Sequence, residues 1–477
     1  MNRCGTLIRN AQLLDGTGGP PQIADVAVAD GRIAGIGALA DWRADVTVDG
    51  SGQVLSPGFI DVHTHDDIAV IRAPGMWAKL SQGVTTVIVG NCGISAAPVR
   101  LRGAPPDPMN LLGRADDFRY PTFASYRDAV HGASPAVNVA SFVGHTALRS
   151  NHMSRLDRAA TDDEIAAMRV ELAEALDAGA LGLSTGLAYA NAFAAPTHEV
   201  TALAGPLMAA GARYATHMRN EFSEIIPAVA EAVHIGRHAR VPVIISHLKC
   251  AGRENWGRSA EVLAALDAAR DTHEIGWDCY PYTAGSSTLD LAQVTDTIEI
   301  TITWSDPHPD AAGDSLAAIA SKWDTTLVDA ARQLQPAGAI YHSMAEADMR
   351  RILRHAATAI GSDGLPNDPR PHPRLWGTFP RVLGHYSRDE QLFPLAEAVH
   401  KMSGLAAQRF GLTERGEIRV GHWADLVLFD AARIRDVATF ADPKRPAEGI
   451  SAVWVNGVLS SRDQAPTGDR AGRFLPR

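Results

Sequence analysis

Six side chains able to hold a metal ion or move a proton stand at the ends of short apolar runs in this sequence. His63 and His65 follow FIDV, Cys92 follows TTVIVGN, His217 follows RYAT, His247 follows PVIIS, and Asp363 follows TAIGS. Two residues apart on a strand, His63 and His65 point to the same side and can share one ion. An isolated cysteine such as that in GNCG is most simply a small buried apolar side chain. Metal-competent groups that recur at the same end of successive runs are not explained by packing. Thiolate and imidazole together favour zinc over magnesium or calcium. Cys92, His217 and His247 make a three-ligand set that leaves a fourth position to water, as a catalytic zinc requires. Water on such an ion has a pKa of about 7 and supplies hydroxide at neutral pH. Asp363 is then placed to take the water proton and return it to a leaving nitrogen.

The apolar runs that must position these groups are GFIDVHTH, TTVIVGNCG, VNVASFVGH, ALGLSTGLAY, RYATHMR, PVIISHLK, EIGWDCYPY and TAIGSDG. Each is nearly continuous in apolar residues, the mark of a parallel strand buried on both faces, and helix-like stretches separate them. One such helix opens on a capping box, Thr161 with Glu164. Eight strand–helix units describe an α/β fold, a (β/α)8 TIM-like barrel, with its chemistry at the C-terminal strand ends. Short segments split by Gly and Asp turns fill residues 1–57, and a matching set returns over 412–477. The two sets predict a small β-sandwich domain formed from both ends of the chain around a catalytic barrel over 58–411. Residues 98–121 read as a long Pro- and Arg-rich loop. Residues 286–350 form an insertion between strands seven and eight, with its own strand-like ITITW and helix-like SLAAIASKW, and it is expected to line the site's mouth.

Hydrophobic and charged contents of 46% and 21% are those of a globular enzyme, and the formal charge of −10 argues against a nucleic-acid surface. The four cysteines have no disulfide-like spacing, no run approaches a membrane span, and the first residues lack the apolar core of a signal peptide. A cytoplasmic protein is the expectation. Its oligomeric state is not encoded in any feature of the sequence.

The HTH motif, the strand-end histidines, the strand-eight aspartate and GEIRVGHWADLVLFD resemble the amidohydrolase superfamily. More closely, GNCGIS, ATHMRNE, SHLKCAG, DCYPYTAGSS, GSDGLP and HPRLWGTFPRVLGHY resemble the D-aminoacylases, the N-acyl-D-amino-acid deacylases. The resemblance spans nearly the whole chain. It implies one tightly held Zn2+ on Cys92, His217 and His247, and a second, weaker site at His63 and His65 that shares Cys92 and Asp363. It makes Asp363 the catalytic acid and base. It places the substrate α-carboxylate on Lys249, Tyr280, Ser286 and Arg374, with Tyr189 near the acyl or carboxylate end. A lysine and a forked arginine suit a carboxylate.

The stretch STLDLAQVTD carries no Lys or Arg to pair with an acidic substrate side chain. GAIYHSM offers Tyr341 and Met344 as apolar walls, and Ala188 leaves room where a ring could stand. An N-acetyl form of a neutral hydrophobic D-amino acid is therefore the expected substrate. N-acyl-D-glutamate or D-aspartate deacylation is the alternative. A cyclic amidase of the dihydroorotase or hydantoinase kind is a further rival, and many of those bridge two metals through a carbamylated lysine on strand four. Strand four here, ALGLSTGLAY, has no lysine. A catalytically dead binding barrel would be expected to lose ligands, and all six remain. His145 at the end of strand three has no role assigned by its chemistry, and Cys250 and Cys279 are expected to be core residues.

Overall fold

The computed structural model describes residues 2–477. Each apolar run forms a barrel strand. In order they are Phe59–Asp61, Val84–Val89, Asn138–Ser141 continuing as Val143–Gly144, Gly182–Gly186, Arg213–His217, Val243–Ile245, Ile275–Cys279 and Thr358–Ile360. Neighbours pair in parallel throughout, with registers such as Val87↔Val139, Ser184↔Ala215 and Asp278↔Ala359. The Thr161–Glu164 capping box opens the helix Asp162–Asp177, as its sequence predicts.

The seam between the first and last strands is closed mostly by side chains. One isolated bridge joins Thr64 to Gly364, and the His65 amide donates to the Gly364 carbonyl at 3.0 Å. Beneath it Lys79, fully buried, donates to Asp61 at 2.7 Å, Thr64 at 2.9 Å and Ser362 at 3.0 Å. A buried ammonium is tolerable only with such partners, and here they tie strand one to strand eight directly below the HTH motif.

Inside the barrel Ile60, Ile88, Ala140, Leu181, Ala215, Ile244 and Ala359 form an apolar layer, floored by Phe410, Leu412 and Leu475. Strand alternation carries upward from this layer only as far as each strand runs. From Ala215 the inward parity leads to His217 inside strand five, whereas Cys92, His247 and Asp363 lie beyond their strands' last residues, where the backbone turns left-handed.

The segments at both ends of the sequence form one nine-stranded sheet. Its halves join where Val54–Pro57 runs antiparallel to Leu426–Phe429, and Ile8, Val26, Leu55, Leu426 and Trp454 share one core. Residues 472–477 leave that sheet: the Leu475 amide donates to Val139 of strand three at 2.7 Å, and the Arg477 amide to Gly179 at 3.1 Å. The insertion carries an antiparallel sheet of Gly285–Thr288, Ala337–Tyr341 and Ile300–Ser305, backed by helices Leu316–Lys322 and Leu327–Leu334 over its own apolar core. Among the described residues no helix is long and apolar enough to cross a membrane.

Candidate active site

The strand ends converge at the top of the barrel. Ligand atoms of His63, His65, Cys92 and Asp363 lie within 4.8 Å of one another, and so do those of Cys92, His217 and His247. Cys92 belongs to both groups: its Sγ is 3.2 Å from His63 Nε2 and 3.2 Å from His247 Nε2. Asp363 Oδ1 is 3.2 Å from His65 Nε2 and 3.5 Å from His63 Nε2. Cys92, His247 and Asp363 all take left-handed backbone, with φ of 53°, 37° and 49°. Such conformations cost about 1–3 kcal/mol in a non-glycine residue and persist where the surroundings enforce them. Here each bend ends a strand and turns a ligand over the barrel axis. The Cys92 turn is also hemmed in, because a Cβ at Gly186 on strand four would collide with the Cys92 carbonyl.

Electrostatics favour the ligand form of the thiol. Burial alone would raise the Cys92 thiol, but the imidazoles of His63 and His247 hold it well below the usual thiol range. Burial likewise opposes ionisation of Asp363, and the Arg374 guanidinium, 2.9 Å away, together with His63 holds its carboxyl well below the ordinary value. The buried Nδ1 atoms of His65 and His217 have no protein partner, and His217 is otherwise only 12% exposed at its side chain. One soft sulfur among imidazoles, gathered at close range, is a donor set that fits zinc.

Behind the ligands stands a layer of acidic side chains not singled out from the sequence. Asp278 lies 3.3 Å from His63 Nδ1 and accepts the His247 amide at 2.9 Å. Glu221 lies 3.0 Å from His247 Nδ1 and 3.5 Å from His217 Nε2, and accepts from Lys249 Nζ at 2.7 Å. Carboxylates in this position fix imidazole tautomers and orient ligands. The available signal was an acid inside a ligand motif, Glu221 four residues after His217 and Asp278 in DCYPY.

A cavity of about 860 Å³ opens over the centre, lined among others by His217, His247, Lys249, Tyr280, Ser286 and Asp363. Tyr189 also lines it, its ring 4.8 Å from that of His217. The Tyr280 hydroxyl and Ser286 Oγ have no protein partner, and burial pushes the Tyr280 hydroxyl up to about 12, so it stays a proton donor. Arg374 lies over the Tyr280 ring at 4.5 Å and donates to the Ser286 carbonyl at 3.1 Å. Its first charged partner is Asp363, a pairing the sequence did not indicate.

Tyr341 lines the cavity, but its hydroxyl is committed, donating to the Thr288 carbonyl at 2.9 Å. Met344 corrects the expectation of a wall: it packs behind Tyr280 and Tyr282, away from the cavity lining. One residue on an extended segment decides which side a side chain faces, and the chain turns between Tyr341 and Met344. Cys250 and Cys279 are buried, and burial pushes each thiol up to about 12, as inert core cysteines require.

His145 lies outside the centre. Buried, it sits 3.0 Å from Glu199 Oε1, which also pairs with the buried guanidinium of Arg149, while Glu199 Oε2 accepts the Ala160 amide at 2.9 Å. Glu199 is the one charge paired with Arg149 among the described residues, and removing it should be severe. Glu199→Ala is expected to lower stability by about 3–5 kcal/mol in denaturant unfolding, while the folded fraction keeps its metal content.

A family model described as the amidohydrolase family matches residues 46–460. A D-aminoacylase of Alcaligenes xylosoxydans xylosoxydans is 50% identical over 99% of this chain and 97% of its own length. Two relatives from the same organism follow. An N-acyl-D-aspartate deacylase is 47% identical over 98% of this chain and 94% of its own. An N-acyl-D-glutamate deacylase is 46% identical over 99% and 96%. A solved D-aminoacylase, described by a binuclear metal centre with one-metal activation and second-metal attenuation, superposes with a TM-score of 0.98 at 48% identity, covering 99% of this chain and 100% of the other. An N-acyl-D-glutamate deacylase from Bordetella bronchiseptica, solved with zinc and a phosphonate mimic of the tetrahedral intermediate, gives 0.96 at 43% identity with both chains fully covered. With the family model matched over residues 46–460 and these relatives over nearly its whole length, this chain belongs to the D-aminoacylase family of the amidohydrolase superfamily.

Proposed function

We propose that the protein hydrolyses the amide bond of N-acyl-D-amino acids with neutral, hydrophobic side chains, releasing a carboxylate and the free D-amino acid. The observation that carries this reading is the convergence of Cys92, His217 and His247 beside Asp363, at the base of a cavity lined by Lys249, Tyr280 and Ser286, with Arg374 paired to Asp363 behind that lining. Cys92, His217 and His247 would hold the tightly bound zinc, and His63, His65 and Asp363 would hold a second, weaker ion with Cys92. When bound, zinc supplies Lewis acidity toward the amide carbonyl and hydroxide at neutral pH. Asp363, ionised beside Arg374, takes the proton of the attacking water and delivers it to the departing nitrogen. Lys249, Tyr280 and the free donors of Arg374 hold the α-carboxylate and fix which face of the amide meets Asp363. Glu221 keeps Lys249 and His247 in place while this happens.

The side-chain preference rests on the walls. Ala188, Leu289 and Tyr341 face the cavity, and among the described residues the cations lining it are already paired, Lys249 with Glu221 and Arg219 with Glu231. An anionic side chain would thus be desolvated without a partner. The three deacylase relatives lie within a few per cent identity of each other, so the walls weigh more than the identity does. Steady-state kinetics over a panel of N-acetyl-D-amino acids is the test. We expect kcat/KM for leucine, methionine and phenylalanine to exceed that for glutamate and aspartate by about a hundredfold. A preference for N-acetyl-D-glutamate would overturn the assignment.

A further inference from the structure

Resting on that deacylase reading, we infer that Arg219 and Glu231 are positioning residues for the reaction. Their ion pair clamps the short helix Ala190–Phe193 and so sets where the Tyr189 ring stands beside the metal ligands. Ala188, Tyr189, Phe193 and Ala194 form one wall of the cavity, and that wall is built on a single four-residue helix. A helix this short does not hold itself, because its last carbonyls find no partner within it. Arg219 supplies partners from outside: its guanidinium donates to the Phe193 carbonyl at 2.8 Å and to the Ala195 carbonyl at 2.9 Å. The same group donates to both carboxylate oxygens of Glu231, each at 2.8 Å.

Glu231 stands on the helix Ile225–Ala239, and Thr197 Oγ1, just past the wall, also donates to it at 2.7 Å. Burial opposes ionisation of Glu231, and hydrogen bonds from Arg219 and Thr197 overcome it, holding the carboxyl below its ordinary value. Two carbonyls and a carboxylate are reached together by the planar fork of a guanidinium, which a single ammonium does not match.

The position of the wall matters because of where Tyr189 sits. Its ring centroid is 4.8 Å from that of the ligand His217. The ring also rests on Gly186, where a Cβ would lie 2.7 Å from Tyr189 Cδ2 and 2.1 Å from the Cys92 carbonyl oxygen. Glycine at the end of strand four therefore lets the Tyr189 ring and the Cys92 turn approach one point. Arg219 itself lies two residues beyond His217, so one short segment carries both a ligand and the holder of the wall. Asn191 gives a second tie by donating to the Asp107 carbonyl, so loss of the clamp should loosen the wall without releasing it.

Glu231→Gln keeps the volume and one acceptor but sets an amide N–H against the guanidinium, and Arg219→Lys removes the fork. In each zinc-loaded variant kcat/KM for N-acetyl-D-leucine is expected to fall about tenfold, within the range that a displacement of about 1 Å produces. Zinc per chain should stay at the wild-type value. Hydrogen–deuterium exchange over residues 188–195 should quicken about tenfold, with the barrel strands unchanged. A double-mutant cycle reads whether the effect passes through the ring: in a Tyr189→Ala background, Glu231→Gln should change kcat/KM by less than about twofold. A loss that adds in full to that of Tyr189→Ala, unchanged exchange over 188–195, or zinc lost in step with activity overturns the inference, while turnover by the wild type upholds the deacylase reading. Failure of the wild type to hydrolyse any N-acyl-D-amino acid overturns both.

Discussion

Replacing Asp363 with asparagine is expected to leave a folded, zinc-loaded protein whose kcat has fallen by about a thousandfold or more. General acid–base groups contribute roughly 10²–10⁴-fold when a single positioned side chain both takes and returns the proton. Asp363 meets the conditions for that upper range. Its carboxylate faces the ligand cluster, Arg374 at 2.9 Å keeps it ionised, and the left-handed bend at its own backbone leaves it little freedom to move. Asparagine keeps the shape and one acceptor oxygen but cannot carry a proton between water and nitrogen. The tightly held ion should stay, because Cys92, His217 and His247 are untouched, whereas affinity at the His63–His65 side should weaken with the loss of a charged neighbour. Zinc per chain by elemental analysis, the circular dichroism spectrum and single-substrate kinetics separate these effects. Retention of even a tenth of the wild-type kcat would mean that another group moves the proton.

The second large effect is on the metal itself. Cys92→Ala is expected to reduce tightly bound zinc from about one ion per chain to a small residue after dialysis, with activity lost in parallel. Cys92 contributes the only anionic donor in its set with the two histidines, and its sulfur stands between both groups of ligands. The substitution adds little backbone strain, since alanine and cysteine pay similarly for a φ of 53°. Its effect on melting should therefore match that of stripping metal from the wild type, because a bound ion stabilises only in proportion to its binding. A variant melting well below chelator-treated wild type would assign Cys92 a packing role in addition. A variant retaining stoichiometric zinc through dialysis would remove it from the tight site.

Much of this architecture can be read without coordinates, for reasons that differ by element. Parallel strands buried on both faces leave continuous apolar runs, so their positions are visible, and a ligand just past the end of such a run is placed at the barrel's C-terminal mouth. Glu221 and Asp278 are hidden because acids near histidines are ordinary on a surface, and only the fold brings these two against the rings of His63, His217 and His247. The pairing of Arg374 with Asp363 joins residues eleven positions apart across a Pro-rich connection whose residues signal turns but not the path that brings its two ends together. Met344 faced the other way because parity cannot be counted through an irregular segment. Asp107 sits on a loop whose composition marked only its length, yet that loop supplies part of the cavity.

The segment that leaves the terminal sheet to clasp strand three also sets a timetable for synthesis. Arg473 and Asn138, hydrogen-bonded in the finished fold, are 335 positions apart. At about 5–20 residues per second, strand three would wait roughly 17–67 s on the ribosome before that partner is made. Until then the barrel's floor is incomplete, since Phe410, Leu412 and Leu475 follow all of its strands in the chain. The strands that carry the thiol and the imidazoles are thus all made before the side chains that cover the apolar interior at the opposite end of the barrel.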